Sequence, residues 1–198
     1  MHMKSLFPIP AMCEYMILVC PTEEVKAEVK KMKVGFFRKH GSYSGQNSAA
    51  HINLFTFFLS EDCENKLMKR IKQTASSVNG FDSFLSGFGF DAVENNFYIE
   101  ILDKMPLINL RNKLRMALFH EFVSLKFLQN NYQPQVIVGK HLSSLQILSA
   151  IREYGEQAYT NNFRVGSITL LKRYAPFKSW EVTEQILLNA SEGAMVDL

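Results

Sequence analysis

The chain has 198 residues, 47% hydrophobic and 21% charged, with a formal charge of +3 and three cysteines. This is a globular composition with length enough for a sizeable core, and so small a charge surplus excludes a protein that coats nucleic acid through net charge alone. Cys13, Cys20 and Cys63 form no CxxC pair, which excludes a zinc ribbon and argues against a disulfide framework; neither a metal nor another cofactor is implied.

The amino-terminal "MHMKSLFPIPAMC" is too short and too broken by proline for a secretory leader. No apolar run approaches the ~20 residues that cross a bilayer. A cytoplasmic protein without membrane attachment is expected.

Tyr15 to Pro21, "YMILVCP", is a continuous apolar run stopped by proline, the pattern of a strand buried on both faces. Thr22 is placed to cap a helix with Glu23 and Glu24 at its positive end and Val25, Val29, Met32 and Phe36 on one face. The Gly/Ser-rich "HGSYSGQNS" ends that helix. A second strand, "HINLFTFFL", follows, and Ser60 caps a second helix with Leu67, Met68, Ile71 and Ala75 inward.

"FLSGFGFDA" and "NNFYIEIL" read as a hairpin, and the next helix carries Leu107, Leu110, Leu114, Leu118 and Phe122 at helical spacing. "QVIVG" is a strand, and Ser143 or Ser144 caps a last helix carrying Leu145, Leu148 and Ile151. The tail segments "NFRVGSITLLKRY" and "WEVTEQILL" supply two further strands as an antiparallel hairpin.

Strand, helix, strand, helix thus occurs twice. Matching Ile17 with Ile101 sets His51 against Gln135, a degenerate duplication over residues 14–79 and 95–158 with a C-terminal hairpin over 162–188, all within one domain spanning 1–198. The expected fold class is α+β: two pseudo-repeated lobes of antiparallel or mixed sheet, helices outside, around a central groove.

"HINL" after a Gly/Ser loop, "YQPQVIVGK" in the second half, "GFGF" before "FYIEI", and "ITLLKRYAPFKSWEV" near the end occur in an order that resembles the two-histidine phosphoesterases, the 2'-5' RNA ligase-like superfamily. The resemblance spans roughly Tyr15 to Leu188. It implies two copies of a His-x-Thr/Ser-hydrophobic motif facing each other across the groove. In the first copy His51 fits the histidine, Asn53 replaces the hydroxyl residue and Leu54 fits the hydrophobic position. In the second, Gln135 stands in the histidine position and Ile137 in the Thr/Ser position.

Those departures bear on chemistry. Residues i and i+2 of a strand face the same way, so His51 with Asn53, and Gln135 with Ile137, are expected to point into one groove. Attack on a phosphodiester or cyclic phosphate needs one group to take a proton and another to give one, and two imidazoles do both. Glutamine exchanges no proton near pH 7 and isoleucine donates nothing to a phosphate. Losing one acid–base partner costs about 10²–10⁴ in rate.

Among the other histidines, His141 lies six residues past Gln135, about 20 Å along an extended strand. His40 precedes the loop before His51 and could reach over the groove only as a minor alternative. His120, in "HEFVS", lacks the second histidine of a zinc HExxH site.

From Glu24 to His40 six Lys or Arg face two Glu, the pattern of a solvated helix face or of a charged rim. In the second case Arg38, with Tyr43 as a stacking ring, would contact a nucleotide, and Lys140 would meet a phosphate after the second motif. The resemblance leaves three readings. The first is a degenerate member that binds a nucleotide, cyclic phosphate or RNA end, with Asn53, Gln135, Ile137 and Lys140 lining the groove. The second is a metal-independent 2',3'-cyclic or 2'-5' phosphodiesterase using His51, and the third a non-catalytic partner-binding scaffold.

Overall fold

A computed structural model of the chain describes residues 11–122, 125–128, 132–174 and 178–190. Residues 1–10, weighed above as a leader, and 175–177 within "ITLLKRYAPFKSWEV" lie outside them. The described elements run β1 (Met12–Val19), α1 (Glu23–His40), β2 (Ile52–Ser60), α2 (Glu64–Ala75), β3 (Phe81–Asp91), β4 (Asn96–Ile101), α3 (Met105–Glu121), β5 (Lys126–Phe127), β6 (Gln135–Gly139), α4 (Ser144–Tyr154), β7 (Thr160–Val165), β8 (Ser167–Tyr174) and β9 (Glu181–Leu187).

The strands form two sheets with orders β5-β2-β1-β8-β9 and β6-β4-β3-β7, every strand pair antiparallel. The α+β class and the doubled lobe follow the sequence reading. β1 is buried along nearly its whole length, as its unbroken apolar run requires. Val25, Val29 and Phe36 of α1, Leu67, Ile71 and Ala75 of α2, and Leu107, Leu110, Leu114 and Leu118 of α3 are all buried. Each such large aliphatic or aromatic side chain contributes roughly 1.5–3 kcal/mol by leaving water.

Four local expectations are corrected. Ser60 does not cap α2, because a 3-10 turn over Glu61–Cys63 intervenes and Cys63 takes the cap position. Ser143 does cap α4, through a reciprocal pair of bonds with Gln146, yet Leu145, Leu148 and Ile151 lie on its exposed side while Ile147 and Ala150 face the core. "NFRVGSITLLKRY" is two strands broken at Gly166, with β7 finishing one sheet against β3 and β8 passing to the other between β1 and β9.

The fourth correction concerns the repeat. Leu18 pairs with Asn53, and Tyr98 pairs with Ile137, so the counterpart of Leu18 is Tyr98 and that of Ile17 is Phe97, not Ile101. Each motif strand also carries a bulge at the same place. The β1 pairing skips Leu54 between Phe55 and Asn53, and the β4 pairing skips Val138 between Gly139 and Ile137. A bulge adds a residue to one strand and re-aims what precedes it, so the two motif strands are turned in the same way where they begin.

Candidate functional site

β2 and β6 lie in contact. On β2, Ile52 and Leu54 are buried while Asn53, and His51 just before the strand, are half-buried; on β6, Val136 and Val138 are buried while Gln135 and Ile137 are half-buried. The alternation puts the two motif pairs on the open side of their sheets, as the spacing predicts. The Leu54 bulge then brings Thr56 to the face of Asn53, whose Nδ2 lies 3.5 Å from Thr56 Oγ1. The Leu54 carbonyl accepts from buried Arg111 Nε at 2.9 Å, and that guanidinium lies 4.4 Å from the Tyr132 ring centre.

His51 is oriented from its own loop. Its Nδ1 lies 2.8 Å from the Ala49 carbonyl oxygen, which only accepts, so Nδ1 carries the proton and the neutral ring keeps its lone pair on Nε2. Burial, above all, holds the ring below the usual histidine pKa; the bond to Ala49 opposes this and the charges of Lys33 and Lys140 reinforce it. Near pH 7 His51 is therefore a neutral proton acceptor.

The loop that presents His51 is pinned from both sides. Lys33, only 2% exposed, reaches from α1 and donates to Gly45 O, Ser48 O and Ser48 Oγ, each at 2.9 Å. Burial lowers its pKa to about 8, which leaves it charged at neutral pH. Across the loop, Lys140 N–H donates to Ser44 O at 3.1 Å, tying the end of β6 to the segment before His51. Gly45 turns there with φ +83°, where an added Cβ would lie 3.8 Å from Lys140 Cβ, a conformation glycine adopts without strain.

Lys140 thus acts electrostatically on His51, and β2, which carries Asn53, lies against β6, which carries Gln135 and Ile137. Asn53 Oδ1 is enclosed with no hydrogen-bond partner among the described residues, whereas Ile137 presents only hydrocarbon. Arg38 is exposed, about 140° around α1 from Lys33, and takes no part in the loop network. Tyr43 is not a stacking surface: it is 9% exposed, its hydroxyl donates to Lys33 O at 3.1 Å and its ring packs edge-on to Phe36.

The other histidines among the described residues do not complete the site. His40 Nε2 lies 2.9 Å from Glu153 Oε1 on α4 and its ring packs on Phe36, so α4 engages this side chain and the minor alternative of its folding over the groove is not met. His141 is exposed past the end of β6 with φ +48°, and His120 is exposed on α3. Among the described residues no group of three or more His, Cys, Asp or Glu side chains is gathered to hold a metal ion, and no helix is long and apolar enough to cross a membrane.

Lys33 is a site residue that the sequence reading groups with the rim cations. The signal for its different role is present all the same, since 25, 29, 33 and 36 form a single helical stripe.

The arrangement has known relatives in fold. The structure of E. coli LigT in apo form is 14% identical with a TM-score of 0.64, covering 90% of this chain and 99% of that one. The same protein complexed with 3'-AMP gives 14% and 0.64 over 91% and 99%, and TT0787 of Thermus thermophilus gives 15% and 0.68 over 89% and 98%. No curated protein matches the chain. The family model described as the 2'-5' RNA ligase superfamily matches residues 21–176, most of the chain and both motif strands. With its fold and paired motif strands, the chain belongs to the 2'-5' RNA ligase superfamily, among the two-histidine phosphoesterases.

Proposed function

We propose that this protein binds the phosphate-bearing end of a nucleotide, a cyclic phosphate or an RNA between β2 and β6, and turns it over slowly or not at all. One observation carries the reading: β2 presents a single oriented, neutral imidazole, while the matching position of β6 holds Gln135. Lys140 and Lys33 make that end of the groove positive, and the unpaired Asn53 Oδ1 is an acceptor suited to a ligand hydroxyl. The ligand class is supported by the complexes of E. coli LigT with 3'-AMP, phosphate, ATP and NADP+.

His51 Nε2 is built to accept a proton from water or a ribose hydroxyl. Among the described residues no second imidazole is placed to protonate the leaving oxygen, and neither Gln135 nor Ile137 does so. A second reading, a working phosphodiesterase that relies on His51 alone, is favoured by the fixed tautomer and orientation of that ring.

The test is hydrolysis of 2',3'-cyclic nucleotides in EDTA, paired with melting curves in 3'-AMP, for the native protein and His51→Ala. Stabilisation without turnover, lost in His51→Ala, is expected; at ligand concentrations 100-fold above Kd it amounts to about 2.7 kcal/mol. Turnover that disappears with His51→Ala selects the second reading. No response to any phosphate ligand selects a partner-binding scaffold.

A further inference from the structure

β4 lies beside β6, and their register sets Glu100 directly opposite Gln135 and Tyr98 directly opposite Ile137. Such partners project to the same face with Cβ atoms about 4.5–5.5 Å apart. All four side chains are half-buried on the open face, while Phe97, Ile99, Val136 and Val138 fill the core side. The ring of Tyr98 lies across Gly89, where an added Cβ would fall 2.2 Å from a ring carbon. Only glycine leaves room for the ring to lie down there.

Glu100 takes no side-chain hydrogen bond or ion pair among the described residues. It does sit near the Tyr98 phenol, whose pKa is raised by burial first, then by the charges of Glu100 and Asp91. The groove is therefore polarised: Lys33 and Lys140 flank His51 at one end, and a carboxylate, an amide and an aromatic ring share the other. A ligand with a phosphate at one end and a flat, donor-bearing group at the other matches both.

We propose that Tyr98, Glu100 and Gln135 form a nucleobase subsite that selects guanine. The base stacks on Tyr98, Glu100 accepts from its N1–H and N2–H, Gln135 donates to O6, and the phosphate points to His51 and Lys140. An ionised carboxylate has two acceptor oxygens and no donor, so it fits a base edge with two donors side by side. Guanine has such an edge. Adenine and cytosine each offer one amino group there, and uracil sets its one N–H between two carbonyls that a carboxylate repels. The inference rests on the reading that His51 and Lys140 hold the phosphate, and it gives Gln135 a recognition role where the family motif has an acid–base group.

The experiment is calorimetric titration of the native protein, Glu100→Gln and His51→Ala with 3'-GMP, 3'-AMP, 3'-CMP, 3'-UMP and inorganic phosphate, with melting curves to confirm that each variant is folded. The native protein should bind 3'-GMP at least about tenfold tighter than the other nucleotides (about 1.4 kcal/mol). Glu100→Gln should bring 3'-GMP down to the affinity of 3'-AMP, and His51→Ala should weaken every ligand. Equal binding of the four nucleotides, or a guanine preference that survives Glu100→Gln, overturns the subsite; if His51→Ala still weakens them all, the phosphate reading stands. Failure of all five ligands to bind the native protein overturns both.

Discussion

Where β2 begins, an imidazole is locked by a backbone carbonyl, a buried lysine pins its loop and a second lysine stands alongside. Where β6 begins, an amide faces a carboxylate across the β4 register and an isoleucine faces a tyrosine. The backbones of the two motifs are nearly equivalent, each with a bulge three residues after its first position. Their chemistry is not. The bulges and the apolar alternation are maintained by core packing, which is indifferent to what the open-face side chains do with protons, so one half of the groove can change its chemistry while its shape persists.

The sharpest way to break this contrast is to make β6 resemble the family motif. The double variant Gln135→His with Ile137→Thr should raise hydrolysis of 2',3'-cyclic nucleotides by about 10²–10⁴ over the native protein, measured in EDTA. If the rate does not rise, the equivalence of β2 and β6 is geometric only and the motif positions do not converge on one phosphate.

Lys33 tests the β2 side through pH. Its folded pKa of about 8 lies below the ordinary lysine value of 10.5, so the unfolded chain binds that proton more tightly. Stability therefore carries a penalty below about pH 8 that is relieved as pH rises toward 10.5, by roughly 3 kcal/mol. Denaturant unfolding of native protein and Lys33→Met across this window should give curves that differ by that rise; parallel curves would mean the three acceptors in the loop fully offset its burial.

Two smaller effects sharpen the contrast. Gly89→Ala drives a Cβ into the Tyr98 ring and should cost about 1–3 kcal/mol in chemical unfolding, displacing the ring from the open face of β4. Tyr43→Phe removes one buried hydroxyl bond to Lys33 O and should cost about 1 kcal/mol with no change in nucleotide affinity. A loss of affinity in Tyr43→Phe would contradict its placement in the core.

Period and punctuation sufficed for much of this molecule. The apolar run of β1, the helical stripes of α1 to α3 and the two-residue alternation of "HINL" and "QVIVG" are local patterns, each set by which face must leave water. So was the departure at Gln135, since an amide in a histidine position is legible wherever the strand lies. α4 defeated the pattern because Leu145, Leu148 and Ile151 make a convincing stripe, yet the face that packs on the sheet is that of Ile147 and Ala150.

The sequence alone determined which strands carry the motifs and that one of them lacks its imidazole, because these depend on residue identity and short-range spacing. It did not determine that Glu100 and Tyr98 stand against β6, that Lys33 lies beneath the His51 loop, or that α4 holds His40. Cross-strand neighbours are fixed by register, and register here turns on a bulge at Val138 that no local pattern marks. Lys33 and His40 have their partners only because α1 packs between the loop and α4, bringing together residues whose encounter depends on the closed core.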